Sequence, residues 1–281
     1  MTPAFVTARG IHRACRALLD LAFPPKCLVC GTFYLFPPPG PDPAAPFDAP
    51  PQAFSAVMAP FFCPACRDDF PCADGPVCSH CGKKIPHPDG VESVCDACLN
   101  RQRHFRKVRA FGSYDGSLKT ALHHLKYRSI TQLARPLGSL LFATFLRHWP
   151  DRDIDFIVPV PLHPRKFRRR GFNQAFLLLR KWPALAEKTG IDLPGGIIQR
   201  TALNRIRETD AQVGMNRRTR QANIQNAFTP GRGVDVSGKK ILLVDDVYTT
   251  GATADACAEA LRNAGAVRVD VLTLAQTVRN L

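Results

Sequence analysis

The chain has 281 residues, of which 45% are hydrophobic, so it can form one mid-sized domain and a smaller one. Its formal net charge of +15 indicates anionic partners, either phosphorylated small molecules or nucleic acid, unless the basic surface has no function. A secretory signal and an apolar run of about 18 residues are both missing, so we expect a cytoplasmic protein without membrane insertion.

The first part of the chain gives few signals of regular structure. The spacing of apolar residues predicts a short amphipathic helix at residues 11–23, within an N-terminal segment that ends at residue 26. Residues 36–60 are rich in proline and alanine. This composition predicts an extended, mobile insertion that forms neither helix nor sheet.

Four Cys-x-x-Cys pairs predict a zinc-binding module over residues 27–106. Each pair places two thiolates on one tight turn, and two such turns complete a tetrahedral, closed, structural zinc site. In a cytoplasmic chain metal binding is favoured over disulfides or redox chemistry. Pairing of neighbouring turns is the simplest arrangement, and interleaved pairing stays open. The eight predicted ligands are Cys27, Cys30, Cys63, Cys66, Cys78, Cys81, Cys95 and Cys98.

From residue 107 to residue 281, apolar runs typical of strands alternate with helical patterns. This alternation predicts an α/β domain with a mostly parallel sheet that is flanked by helices. The predicted strands are residues 108–114, 156–160, 240–244 and 267–275, and the predicted helices are residues 118–127, 133–149, 172–189 and 252–264.

Residues 241–253 form the most specific segment. A buried strand is followed by Asp245 and Asp246, at the strand end where open α/β sheets bind ligands. A small turn rich in hydroxyl groups comes next and leads directly into a helix. Its backbone N–H groups, hydroxyls and helix N-terminus can hold a phosphate, and Gly251 lets the backbone come close. The acids would then bind sugar hydroxyls or Mg²⁺; a turn with incidental Asp capping is the structural alternative.

This segment resembles the signature of type I phosphoribosyltransferases that binds phosphoribosyl pyrophosphate (PRPP): an apolar strand, two acids and a Thr-Thr-Gly-x-Thr turn. The resemblance implies that Asp245 and Asp246 are catalytic residues that hold the ribose 2- and 3-hydroxyls. It also implies that the turn binds the 5-phosphate and that Mg²⁺ bridges pyrophosphate and ribose. The implied PRPP-binding residues of the segment are Val247, Tyr248, Thr249, Thr250, Gly251, Ala252 and Thr253.

Further motifs resemble those of the competence-associated ComF family. They are the run Val-Pro-Val-Pro-Leu-His-Pro-Arg-Lys-Phe-Arg-Arg-Arg-Gly-Phe-Asn-Gln at residues 158–174, Tyr-Asp-Gly at 114–116, His-Leu-Lys-Tyr-Arg at 124–128, the stretch 205–228, and Phe-Pro-Pro-x-Cys at 23–27. The resemblance implies a type I phosphoribosyltransferase-like domain behind a double zinc ribbon. The insertion at residues 36–60 is longer than we expect for the family.

Basic residues outside the turn are further candidates for phosphate binding. A predicted loop after the second strand is basic enough to bind pyrophosphate, although a solvated basic face or a nucleic-acid patch would look the same. Residues 204–223 are polar and basic, which fits a mobile hood over the substrate or a solvated loop. The additional PRPP-binding candidates are Lys126, Arg165, Lys166 and Arg170.

The leading hypothesis is a magnesium-dependent phosphoribosyltransferase that binds PRPP or a related phosphorylated ribose. It would transfer phosphoribose to an acceptor that the sequence does not identify, in association with DNA uptake and natural transformation. The alternative is a non-catalytic, nucleic-acid-binding competence factor in which the fold binds a regulatory ligand. In that case single-stranded DNA, or a helicase of the uptake machinery, is the expected partner.

Overall fold

The computed structural model describes residues 23–35, 50–70, 76–85, 93–100, 102–207 and 226–277. Most of the helix predicted at residues 11–23 therefore lies outside the described residues. Within them, every helix is too short or too polar to cross a lipid bilayer.

A four-stranded parallel sheet forms the centre of the larger domain. The described strands are β1 (Val108–Ser113), β2 (Phe156–Pro159), β3 (Leu203–Arg205), β4 (Phe228–Pro230), β5 (Lys240–Tyr248) and β6 (Arg268–Gln276). The sheet has the order β1-β6-β5-β2, which places β5 and β6 in the middle. A separate two-stranded antiparallel ribbon pairs β3 with β4. The predicted α/β class with a parallel sheet is confirmed.

Helices cover both faces of this sheet, because successive residues of β5 point to opposite sides. Leu242 and Val244 pack in one core, and Ile241 and Leu243 pack in the other. All four side chains are fully buried. The described helices are Pro50–Met58, Pro64–Asp68, Asp96–Leu99, Gly116–Tyr127, Ala134–His148, Pro164–Arg170, Gln174–Leu179, Trp182–Lys188 and Ala252–Asn263, with a 3₁₀ turn at Thr131–Leu133.

The prediction that residues 36–60 form no helix was wrong for their second half. Helix Pro50–Met58 buries Ala53, Phe54, Val57 and Met58 on one face. Its two prolines stand at the helix start, where a missing N–H removes no intrahelical hydrogen bond. Residues 36–49 lie outside the described part of the chain.

Two further local predictions need correction. The basic segment after β2 is helix Pro164–Arg170, not a loop, because the His163 side chain caps its first turn and Gly171, at φ 83°, ends it. The single helix predicted at residues 172–189 is broken in two. Pro183 stands at the start of the second helix, where a proline is tolerated, but it cannot continue a preceding one.

The first and the third Cys-x-x-Cys turns contact the larger domain through hydrogen bonds. The backbone carbonyl of His80, inside the third Cys-x-x-Cys pair, accepts from the Val108 N–H at 2.7 Å, on the outer edge of β1. The Gln276 side chain at the end of β6 donates to the Cys81 carbonyl at 2.9 Å. On the other side, His124 Nε2 lies 2.8 Å from the Leu28 carbonyl. The third Cys-x-x-Cys turn thus covers the outer edge of β1, which would otherwise present unpaired backbone groups.

Replacement of Phe54 by alanine tests whether helix Pro50–Met58 belongs to the core. The Phe54 ring is fully buried and stacks on Phe70 at 4.6 Å between centroids. We expect Phe54→Ala to lower the free energy of unfolding in urea by about 3–5 kcal/mol, because it leaves a cavity. Phe33→Ala, at a ring that is 63% exposed, is the control and should change it little. Equal effects of the two substitutions would contradict this packing.

Candidate functional site

Two clusters of four cysteines have the geometry of tetrahedral metal sites. In each cluster the four Sγ atoms lie within 4.8 Å of one another. The distances Cys30 Sγ–Cys63 Sγ and Cys81 Sγ–Cys95 Sγ are both 3.7 Å. Zinc bound to four thiolates at about 2.3 Å separates the sulfur atoms by about 3.8 Å, so the cysteines fit zinc. Neighbouring turns pair, and the simplest predicted arrangement is confirmed.

Backbone N–H groups already point at the sulfur atoms of these clusters. Cys27 Sγ accepts from the N–H groups of Val29 and Cys63, each at 3.4 Å. Cys78 Sγ accepts from Cys81 at 3.4 Å and from Cys95 at 3.3 Å. Burial opposes ionisation of Cys78, but these donors outweigh it and lower its pKa to about 7. A Cys78 thiolate suits a structural zinc ion, and with four protein ligands no open position would remain for chemistry.

A cleft of about 230 Å³ opens at the carboxyl end of the parallel sheet. Open α/β sheets bind their ligands at this end. Its walls come from the ends of β1, β2 and β5, from the turn after β5, from three helices and from β3. The lining residues are Tyr114, Lys126, Val160, Pro161, Leu162, Gln174, Arg205, Asp245, Asp246, Val247, Thr249 and Thr253.

The two predicted acids lie side by side in this cleft and have different surroundings. Asp246 is buried, and its carboxylate is paired with Lys126 Nζ at 2.7 Å. Asp245 Oδ1 accepts from the Asp246 N–H at 2.9 Å. Burial, together with the charge of Asp246, raises the pKa of Asp245 to about 7, and Lys126 opposes this shift. A ligand hydroxyl that donates to Asp245 would favour its ionised form.

The carboxylates lie within β5, not beyond it. The strand runs to Tyr248, whereas the prediction ended it at residue 244. On one side β6 continues beside the acids, with Asp245 opposite Thr273, but β2 ends at Pro159, opposite Val244. The early end of β2 leaves the neighbouring space open and forms the cleft.

The hydroxyl-rich turn joins β5 to helix Ala252–Asn263. Gly251 caps this helix at φ 78°, and a Cβ atom there would collide with the Tyr248 hydroxyl, so the turn requires glycine. The first N–H groups of the helix have no acceptor inside it and point out of its N-terminal end. Together with the Thr249 and Thr253 side chains in the cleft lining, they form a site suited to an anion.

Other predicted PRPP-binding residues lie outside the cleft lining. The Tyr248 ring is buried on the opposite side of the turn, with its edge toward Phe105 at 6.2 Å. Arg170 does not line the cleft, but its guanidinium group donates at 2.5 Å to the side chain of Gln174, which does. The remaining residues of this group are Thr250, Gly251, Ala252, Arg165 and Lys166. Their contact with a ligand stays a prediction.

Three polar residues of the cleft were not among the predicted site residues: Tyr114, Gln174 and Arg205. All three stand in the quoted motifs, and the structure explains these motifs. Asp115 caps helix Gly116–Tyr127 by accepting from the Gly116 N–H at 2.9 Å, which leaves Tyr114 at the cleft.

The residues around Gln174 follow the same logic. Asn173 caps the helix that begins at Gln174, and its side-chain amide donates to the Val160 carbonyl at 2.9 Å. This bond ties the helix to the end of β2 and places Gln174 in the cleft. Arg205 enters the cleft from β3.

Comparison with known proteins agrees with this architecture. Residues 203–279 match the phosphoribosyl transferase domain family. The chain is 31% identical over 212 residues to DNA utilization protein YhgH of Salmonella typhimurium, covering 72% of this chain and 85% of that protein. It is 28% identical over 208 residues to Competence protein F of Haemophilus influenzae, with coverage of 72% and 85%. Competence protein ComFC of Bacillus subtilis is 25% identical over 219 residues, with coverage of 75% and 82%.

The chain belongs to the ComF family. The resemblance inferred from the sequence motifs is thereby confirmed, as is the phosphoribosyltransferase-like domain. In this ComF protein the two Cys₄ clusters fit the expected double zinc ribbon, which precedes that domain in the chain.

Each cysteine cluster should bind one zinc ion independently. We expect about two zinc ions per chain by native mass spectrometry, and one each in Cys66→Ser and in Cys98→Ser, because each substitution removes one of four ligands. Cys257→Ser, at a buried cysteine outside both clusters, is the control and should keep two. A single ion in the wild type, or loss of both ions in one of the single variants, would contradict two separate sites.

Proposed function

We propose that the protein binds PRPP with Mg²⁺ in the cleft and transfers phosphoribose to an acceptor. The observation that carries this proposal is the shared cleft of the carboxylates of Asp245 and Asp246 and the side chains of Thr249 and Thr253. The acids suit the ribose hydroxyls, and the turn suits the 5-phosphate. The carboxylates of Asp245 and Asp246 offer the oxygen ligands that Mg²⁺ prefers, and the ion would supply positive charge against that of the leaving pyrophosphate.

The basic side chains of the same cleft suit the pyrophosphate. Lys126 is largely buried beside Asp246; burial lowers the pKa of its ammonium group, but the two aspartates outweigh this effect and raise it. It therefore stays charged. Arg205 reaches the cleft from β3, and its guanidinium group lies over the Phe228 ring at 5.3 Å. Both cations would stabilise the charge that develops as pyrophosphate leaves C1.

Transfer would then proceed by displacement of pyrophosphate at C1 through an oxocarbenium-like transition state. The residues of the cleft would act mainly by positioning the ribose and by stabilising the negative charge of the leaving pyrophosphate. The β3–β4 ribbon flanks the cleft. Residues 208–223 of the hood predicted at residues 204–223 lie outside the described residues, so exclusion of water by this segment stays a prediction.

The names of the relatives indicate the biological setting. Proteins named for competence and for DNA utilization are similar to this chain over about three quarters of its length. These names support a competence-associated role, and DNA uptake in natural transformation stays the prediction from the sequence motifs. An uptake helicase as partner is a prediction from the sequence alone.

Titration calorimetry of PRPP with Mg²⁺ tests the proposal. We expect binding to the wild type and at least about 100-fold weaker binding to the Asp245→Asn/Asp246→Asn double variant, because charge-assisted hydrogen bonds to the ribose are lost. The double variant Asp151→Asn/Asp192→Asn, at two exposed carboxylates, is the control and should bind as the wild type does. A wild type that binds no PRPP would refute the proposal.

A second function, binding of single-stranded DNA, is favoured by the surface of helix Pro164–Arg170. Five of its seven residues are basic, none of its side chains is buried, and the Phe167 ring is 46% exposed. Next to it the Tyr127 ring is 62% exposed, with the Arg170 guanidinium group 5.6 Å from its centroid. Cations next to exposed rings suit the phosphates and bases of a single strand.

Fluorescence anisotropy with a labelled single-stranded oligonucleotide tests this surface. We expect Arg168→Ala/Arg169→Ala to weaken binding and to reduce the slope of log affinity against log salt by about 1.4, the value for two lost phosphate contacts. Arg147→Ala/Arg180→Ala changes the net charge equally, at exposed arginines near the ends of other helices, and should leave the slope unchanged. If both double variants change the slope equally, DNA binding depends on the net charge of the protein and not on this helix.

A further inference from the structure

The proposed phosphate-binding turn comprises residues 249–253. Carbonyl groups in it and just before it accept hydrogen bonds from groups outside the cleft lining. Four consecutive carbonyl oxygens, from residue 248 to residue 251, each accept a hydrogen bond. The donors, in order, are the Thr277 N–H at 3.0 Å, the Thr277 hydroxyl at 3.4 Å, the Arg103 guanidinium group at 3.1 Å and the Asp255 N–H at 2.8 Å. With its carbonyls engaged in this way, the turn can direct N–H groups at an anion.

Arg103 is the one of these donors that belongs to the zinc-binding module as predicted from the sequence. It lies 147 residues from Thr250 in the chain, and its side chain is only 9% exposed. Besides the bond from its Nη2 to the Thr250 carbonyl, its Nη1 lies 3.4 Å from the Asp255 carboxylate. The planar guanidinium group thus joins the turn to the first turn of the following helix.

The position of Arg103 is fixed by aromatic packing. Its guanidinium group lies 5.7 Å from the centroid of the Phe105 ring. Phe105 is buried and stacks on His80, between two predicted zinc ligands, at 5.5 Å. The edge contact of Phe105 with Tyr248 then reaches the strand that precedes the turn. The third Cys-x-x-Cys turn therefore packs, through the rings of His80 and Phe105, against Tyr248, the residue before the phosphate-binding turn.

Arg103 also compensates an unfavourable charge. Asp255 lies in the first turn of helix Ala252–Asn263, next to the place where a phosphate would bind. Its carboxylate accepts from the His104 N–H at 2.9 Å and pairs with Arg103. Without the guanidinium group, a negative charge near the helix N-terminus would repel an incoming phosphate.

We propose that Arg103 is a positioning residue for the phosphate-binding turn: it fixes the Thr250 carbonyl and pairs with Asp255, so that the turn is ready to receive the 5-phosphate of the ligand. This proposal rests on the proposed function. It adds that a residue of the predicted zinc module takes part in ligand binding without touching the ligand.

Two measurements on Arg103→Ala test the proposal, with ribose 5-phosphate as the probe. We expect hydrogen exchange of the backbone amides of residues 249–253 to become faster in the free protein, because the turn loses its support. The affinity for ribose 5-phosphate in calorimetry should fall at least about tenfold. Arg103→Lys should change both in the same direction but less, since an ammonium group keeps the charge but cannot reproduce the fork.

Arg262→Ala is the matched control. Arg262 also donates from its guanidinium group to a backbone carbonyl, that of Ala266 at 2.7 Å, but at the opposite end of the same helix. This variant should keep wild-type exchange in residues 249–253 and wild-type affinity. It separates loss of an arginine bond in general from loss of the bond at the turn.

The outcomes distinguish the two proposals. A wild type that binds ribose 5-phosphate, together with Arg103 variants of equal affinity, would overturn the positioning role and leave the proposed function intact. Faster exchange without weaker binding would overturn it as well. A wild type that binds neither PRPP nor ribose 5-phosphate would refute both.

Discussion

Burial of β5 on both faces is the constraint on which the rest of the structure depends. A strand with one apolar face could expose its other side to water, but Ile241 to Val244 contribute side chains to two separate cores. The strand is therefore fixed in register between β2 and β6. Since Asp245 and Asp246 follow these four residues within the same strand, their positions in the cleft are fixed by the packing of apolar residues outside the cleft lining.

The cysteine-rich module is part of the same packing. Phe54 and Phe70 belong to the core that contains Leu242 and Leu272, although they come from the segment around the first cysteine cluster. Zinc binding would stabilise the Cys-x-x-Cys turns, which have few apolar side chains of their own. The rings of Phe54 and Phe70 extend the core of the larger domain to the first cysteine cluster. The predicted domain boundary at residue 106 thus divides the sequence, but it does not divide the hydrophobic core.

The sequence was sufficient for the features that depend on local patterns. The parallel sheet, the cysteine clusters and the acids followed by a turn could be predicted, because each shows in a short run of residues. Helix Pro50–Met58 was missed because its prolines were counted as breakers without regard to their place at the helix start. Gln174 and Arg205 could not be assigned to the cleft from spacing, since tertiary packing brings them there from separate elements.

Long-range contacts explain why the candidate site depends on the whole chain. The Gln276–Cys81 bond joins residues 195 apart, and the Arg103–Thr250 bond joins residues 147 apart. Contacts of this separation require closure of long loops, so they form only when most of the fold is in place. The turn is thus completed by Arg103 and Thr277, which lie far from each other in the chain. A candidate site completed in this way depends on the fully folded protein, and a ligand that binds only the folded state would in turn stabilise that state.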